Sequence, residues 1–164
     1  MGILPFSSGA MKGEYDETDL AILKELRDNC KQSIKELGRK LGVHPNTILQ
    51  RIKKLEKDKT IIKYAAEVDY RKLGYELHAV IVGEVRKGRA GDQTQLADLS
   101  KMPQMQYLYA VTGAYDIIAS VRVKNRDELV EVMRKIGENP IVERTMTHII
   151  LYSYKHPYEF NPIP

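Results

Sequence analysis

The sequence predicts an α+β fold in two parts, a three-helix N-terminal half and a βαββαβ C-terminal half. Three observations predict it. Residues 16–57 carry apolar side chains at helical spacing, broken twice by short polar turns. Residues 76–155 alternate four β-rich runs with two helical ones. The charge is also divided: residues 31–63 hold ten basic and three acidic side chains, whereas residues 64–164 hold thirteen of each. A net charge of +4 on the whole chain is ordinary, but its concentration in one short segment marks a polyanion-binding face or a solvated helical surface.

The elements follow in order. Asp16 can cap a first helix, with Glu17 and Asp19 in the first turn, where the helix dipole favours negative charge. Thr18, Ile22, Leu23 and Leu26 fall on one face of it. A second helix opens on "SIKE", in which Ser33 and Glu36 have capping-box spacing. Ile34, Leu37 and Leu41 form its buried stripe, and Gly42 is placed to end it with positive φ. Only Val43 and His44 then precede Pro45, which suits the first turn of a third helix. So short a connection predicts a helix-turn-helix. Ile48, Ile52 and Leu55 face inward. "TIIKYAAEV" is β-rich and supplies a small wing and a linker strand, and "DYRKLGYE" is a break.

In the second half, "LHAVIVGEVR", "MQYLYAVTG", "IIASVRV" and "VERTMTHIILYSY" read as strands. "DQTQLADLSKM" and "NRDELVEVMRKIGEN" read as helices, the latter capped by Asn125 with Leu129, Val132, Met133 and Ile136 inward. This order is the ferredoxin-like pattern, an antiparallel sheet with both helices on one face. Apolar groups on both faces of "HAVIV" and "THIILYSY" predict that a second copy covers the other face. The organisation read from the chain is therefore an arm or appended tag over 1–13, with Met11 a candidate start, and a winged helix-turn-helix over 14–64. A linker over 65–75, a ferredoxin-like domain over 76–155 and a tail over 156–164 complete it.

The third helix carries the first candidate site. Asn46, Thr47, Gln50, Lys53 and Lys54 face mainly outward, with His44 at the cap and Arg51 alongside. Asn, Gln and Thr offer the paired donors and acceptors that read base edges, and lysines suit phosphates. A merely solvated helix more often intersperses Glu with Lys, yet the first acid here is Glu56, near the end. The pattern favours double-stranded DNA.

The motifs "YDETDLAILKEL", "SIKELGRKLGVHPNTILQRIKKLEKDKTII", "VTGAYDIIASVRV" and "VERTMTHIIL" together resemble the Lrp/AsnC family of transcription regulators, across nearly all of residues 14–155. The resemblance implies a winged helix-turn-helix joined to a ligand-sensing ferredoxin-like domain. It also implies dimers that assemble further, to an octamer for example, and an amino-acid effector. Two positions depart from the family pattern: His44 where the family often has Ser, and Lys59 where it usually has Gly. The latter requires a non-glycine residue to take positive φ or a differently shaped turn. The implied effector site rests on Gly113, Ala114, Tyr115, Asp116, Thr145 and Thr147. Asp116 can pair with an ammonium, while Thr145 and Thr147, two apart on a strand, point to one side. "TGAYD" is equally a good tight turn.

Other classes stand beside this reading. The chain has no P-loop, GxGxxG, HExxH or cysteine pair, and His78 and His148 in apolar strands suit packing better than catalysis. No enzyme activity, cofactor or metal is expected. An architectural DNA-coating protein without an effector is the alternative regulator-free reading. No apolar run approaches the roughly 18 residues of a membrane span, so no membrane partner is expected. A single cysteine, Cys30, fits a reducing, cytoplasmic setting.

Overall fold

The structure is a computed structural model and describes residues 15–86, 93–156 and 159–163. The arm over 1–13 lies outside the described residues. Two compact units form, divided between Glu67 and Val68.

The first unit holds α1 (Glu17–Asp28), α2 (Ile34–Leu41) and α3 (Pro45–Lys57). Both expected capping boxes form. Asp16 accepts from the Asp19 amide while Asp19 accepts from the Asp16 amide, and Ser33 and Glu36 do the same for α2. Ile22, Leu37, Ile48, Ile52 and Leu55 close the core, one or more from each helix. The sharp α2–α3 turn has two causes. Gly42 takes φ 67°, and the Val43 amide turns back to the Gly38 carbonyl at 3.0 Å. A Cβ on Gly38 would sit 2.6 Å from the Val43 carbonyl oxygen, so a side chain there would push α3 off α2.

At the far end of α3 the departure from glycine is resolved by Lys59 itself, which takes φ 63°. A Cβ crowds its own carbonyl in that region. The strain is held by the Lys59 amide on the Glu56 carbonyl and the Ile61 amide on the Leu55 carbonyl, at 3.1 and 2.9 Å. The expected wing and linker strand are not formed. Residues 61–69 lie in no helix or strand, and Ile62 is 78% exposed. The segment's β-branched composition favours extension, but no strand among the described residues pairs with it. Residues 155, 156 and 159–163 group with this first unit. There the Asn161 side-chain amide donates to Asp28 Oδ1 at 2.7 Å and to the Lys24 carbonyl at 3.4 Å, at the end of α1.

The second unit has β1 (Leu77–Val85), α4 (Gln93–Leu99), β2 (Met105–Ala110), β3 (Ile117–Val123), α5 (Arg126–Gly137) and β4 (Val142–Ile149). A short 3-10 turn over Tyr70–Leu73 precedes them. The sheet is antiparallel in the order β2-β3-β1-β4. Ala79, Ile81, Val121 and Val123 share one core with Leu99, Leu129, Val132 and Ile136, which places both helices on one sheet face. By the two-residue period, Val80, Val82, Ile118, Tyr109 and Met146 face the other way. Tyr109 and Met146 are 56% and 51% exposed. His78 is half-buried, with Nε2 2.7 Å from the Ser120 hydroxyl, whereas His148 is exposed rather than packed, because β4 is an edge strand.

Replacing Lys59 with Gly removes the left-handed strain at the end of α3, offset in part by the freer unfolded chain. Lys59→Gly should stabilise the first unit by about 0.5–1 kcal/mol in urea titration. Destabilisation would show that the Lys59 side chain holds the turn.

Candidate nucleic-acid interface and effector site

The outward face of α3 starts from its cap. His44 Nδ1 accepts from the Asn46 amide at 3.3 Å, which requires that nitrogen to be unprotonated. Asn46, Thr47, Gln50, Lys53 and Lys54 are exposed on the helix that follows. Thr47, Gln50 and Lys54 line one side of a concavity of about 510 Å³. Tyr15, Asp16, Asp19 and Arg51 complete it. Tyr15 closes one end, with its hydroxyl 2.6 Å from Thr60 Oγ1 and the Lys54 ammonium 6.0 Å from its ring centre.

Arg51 departs from the expected outward set. Its Nη1 donates to both Asp16 oxygens, at 2.7 and 2.6 Å, and to Asp19 Oδ1 at 2.8 Å. The side chain is half-buried, because Arg51 lies three residues beyond Ile48 and beside Ile52, on the flank of the apolar stripe. Its charge is therefore already matched within the protein. The two carboxylates it holds are the capping box of α1, so one guanidinium ties the start of α1 to the middle of α3. Arg51, with the Asp19 amide behind it, holds the Asp16 carboxyl below its ordinary range.

The six residues expected around an effector are split by the sheet. Thr145 pairs across the ladder with Gly83, and Thr147 with Ile81, so both hydroxyls lie on the helix-covered side of β4. Asp116 sits on the opposite flank of β1. Its amide donates to the Gly83 carbonyl at 3.0 Å, and its Oδ2 accepts from the Val85 amide at 2.8 Å. Asp116 and Thr145 thus meet the same glycine from two sides. Gly113, at φ 121°, and Ala114 are exposed in the β2–β3 turn. Tyr115 turns elsewhere, its hydroxyl 4.0 Å from Met146 Sδ, a residue of the uncovered sheet face. The sequence reading missed Glu84 and Arg144, which form an ion pair beside Thr145. Their opposite charges sit directly across the β1–β4 ladder.

This geometry has known counterparts. Residues 16–56 match the family model of the AsnC-type helix-turn-helix domain, and residues 84–160 match that of the Lrp/AsnC ligand binding domain. The chain belongs to the Lrp/AsnC family. Like its family, it is a transcriptional regulator with a helix-turn-helix DNA-binding domain and a ligand-binding domain. The HTH-type transcriptional regulator FL11 of Pyrococcus horikoshii is 34% identical over 149 residues, 91% of this chain and 97% of that protein. The solved structure of E. coli AsnC superposes with a TM-score of 0.79 at 28% identity, covering 87% of this chain and 95% of the other. The Neisseria meningitidis regulator NMB0573, solved as a complex with L-Met, shares the fold with a TM-score of 0.81 at 24% identity, covering 87% and 93%.

The Arg51 clamp gives this Lrp/AsnC regulator an acid limit. Asp16's native pKa is depressed, so its stabilising contribution is complete above the ordinary carboxylate value of 3.8 and is lost as pH falls through the native value. Thermal unfolding followed from pH 6 downward should therefore show less acid sensitivity in Arg51→Met than in wild type. Asp19 is 3% exposed, and its carboxylate serves both Arg51 and the Asp16 amide. Asp19→Ala should cost about 1–3 kcal/mol at neutral pH, since it strands the Asp16 amide and leaves Arg51 only the Asp16 carboxylate. Equal acid sensitivity in Arg51→Met and wild type would remove Asp16 from the account.

Proposed function

We propose that the chain is a sequence-specific DNA-binding regulator whose assembly and DNA binding respond to a small effector, an amino acid. The observation that carries the DNA half is the division of labour on α3. Asn46, Thr47 and Gln50 are exposed at its N-terminal end, Lys53 and Lys54 lie beyond them, and Arg51 is turned inward onto α1. In this reading His44, Asn46, Thr47 and Gln50 meet base edges and backbone at the start of the helix, and the lysines meet phosphates. Arg51 orients the helix and makes no phosphate contact of its own.

The effector half rests on Asp116 and Thr145. One Asp116 oxygen is taken by the Val85 amide, which leaves the second to pair with an ammonium. The Thr145 hydroxyl, on the other side of Gly83, supplies a donor for a carboxylate. Both lie within the segment that matches the ligand binding domain, as do Gly113, Ala114, Tyr115 and Thr147. Assembly is supported by apolar exposure that water alone would not favour: Tyr109 and Met146 on the open sheet face, and Leu151 and Tyr154 beyond β4, 81% and 96% exposed. A homodimer through that face, and higher oligomers such as an octamer, would cover them. A ligand held where dimers meet would then select one assembly and reset the spacing of recognition helices.

Two measurements separate these roles. Lys53→Ala should weaken specific and random DNA alike and reduce the salt slope of binding by about one unit per lost contact. Gln50→Ala should instead relax preference at one base pair of each half-site, by roughly 1–3 kcal/mol, with little effect on random DNA. Mutants indistinguishable from wild type in both assays would move the interface off α3.

For the effector, sedimentation velocity and DNA titration against an amino-acid panel should find one that shifts assembly and changes DNA affinity by about 1–3 kcal/mol. Asp116→Ala should abolish that response and leave ligand-free DNA binding intact. A mutant that still responds to the same amino acid places the effector elsewhere. No response across the panel in wild type favours an architectural DNA-coating protein.

A further inference from the structure

The first turn of α3 is closed to ligands along its backbone. Pro45, its first residue, has no N–H. The next three amides are all taken within the chain. That of Asn46 donates to His44 Nδ1 at 3.3 Å, and those of Thr47 and Ile48 donate to the His44 carbonyl at 2.9 and 3.2 Å. A helix start ordinarily offers such amides to an anion. A phosphate reaching α3 from this side meets no free amide in the first turn, so a side chain must supply the donor.

His44 has that donor, and its direction is fixed. The ring is exposed. Because Nδ1 accepts the capping bond, the neutral ring carries its hydrogen on Nε2, so the cap selects the tautomer. The two ring nitrogens diverge, and Nε2–H therefore points away from the amide that Nδ1 receives. Among the described residues nothing else bonds the ring. A neutral ring in this state offers a donor and no acceptor, which suits an acceptor-only partner such as a phosphate oxygen. The surroundings favour the DNA backbone over a base edge. His44 precedes the helix, whereas Asn46 and Gln50, about one turn apart on the exposed face of α3, are placed for the groove. The end of α2 that leads into the turn is basic, with Arg39 and Lys40 in its last turn. Lys40 is matched by Glu25, but Arg39 is exposed and, among the described residues, in no ion pair.

We infer that His44 binds DNA as a neutral imidazole, with Nδ1 capping α3 and Nε2–H donating to a phosphate oxygen beside the recognition helix. The inference rests on the reading of α3 as the DNA-contacting helix. It gives His44 a role distinct from that of the lysines, because a neutral donor neutralises no phosphate charge and so releases no counterion. It also joins the helix start to the DNA backbone through one ring: the capping bond that completes the first turn aims the donor.

The probes are a duplex carrying the motif that the full wild-type chain selects from a random library, and a random-sequence duplex of equal length. His44→Gly removes the donor at little cost to the cap, and circular dichroism should match wild type. Its affinity for both duplexes should fall by about tenfold per half-site, the loss expected for one hydrogen bond to a charged group. The salt slope should stay that of wild type, in contrast to Lys53→Ala. Replacing single phosphates of the selected duplex by methylphosphonates should find one position per half-site that weakens wild type but not His44→Gly, the signature of a direct partner. Nitrogen NMR of the wild-type imidazole needs no variant: it should show the Nε2–H tautomer free and bound, with the Nε2 signal moving on DNA addition. Undiminished affinity in His44→Gly, a loss confined to the selected motif, a slope lowered by about one unit, no phosphate position that distinguishes the two proteins, or a ring that carries its hydrogen on Nδ1 in the complex would each overturn the inference. Unchanged binding in Lys53→Ala and Gln50→Ala as well would overturn the reading of α3 itself.

Discussion

The contact between Arg51 and the paired carboxylates of Asp16 and Asp19 fixes how α3 is set against α1 in the helix-turn-helix. Three helices with five fully buried or nearly buried side chains form a small core, and apolar packing alone fixes the roll of a helix only loosely. A guanidinium held by three short hydrogen bonds has directional demands that Ile48 and Leu55 do not. It also works at the N-terminus of α1, where negative charge is already favoured by the helix dipole. The acids stabilise α1 and the arginine orients α3, so one cluster serves both helices. It lines the same concavity as exposed Thr47, Gln50 and Lys54, so those side chains stand on a braced surface.

In the second unit β1 has the corresponding central position. It pairs with β3 on one side and β4 on the other, and Gly83 is flanked by Ile117 and Thr145. The turn that carries Asp116 is tied to β1 by two hydrogen bonds, from the Asp116 amide and to its carboxylate. A change at the Asp116 carboxylate therefore acts on the ladder at Gly83–Val85, not only on a surface loop.

Much of this was legible in sequence because it depends on local chemistry. Ser33 with Glu36, Gly42, Pro45 and Asn125 each have a short-range reason to be where they are, and the structure uses each for it. The alternation that assigned the strands also separated Thr145 from Met146. What the sequence did not reveal depends on distant partners. Arg51 reads like its basic neighbours until Asp16 and Asp19, 35 and 32 positions away, are folded against it. The segment after α3 has strand composition, but a strand needs a neighbour, and composition cannot supply one. Glu84 and Arg144, 60 residues apart, became visible as a pair only through the register of β1 and β4.

The return of residues 155–163 to the first unit, where Asn161 bonds the end of α1, changes the topology of the whole chain. In connectivity the sensor is an insertion: the DNA-binding unit begins before it and is completed after it. Two covalent tethers therefore join the units, one entering at Val68 and one leaving after Tyr154.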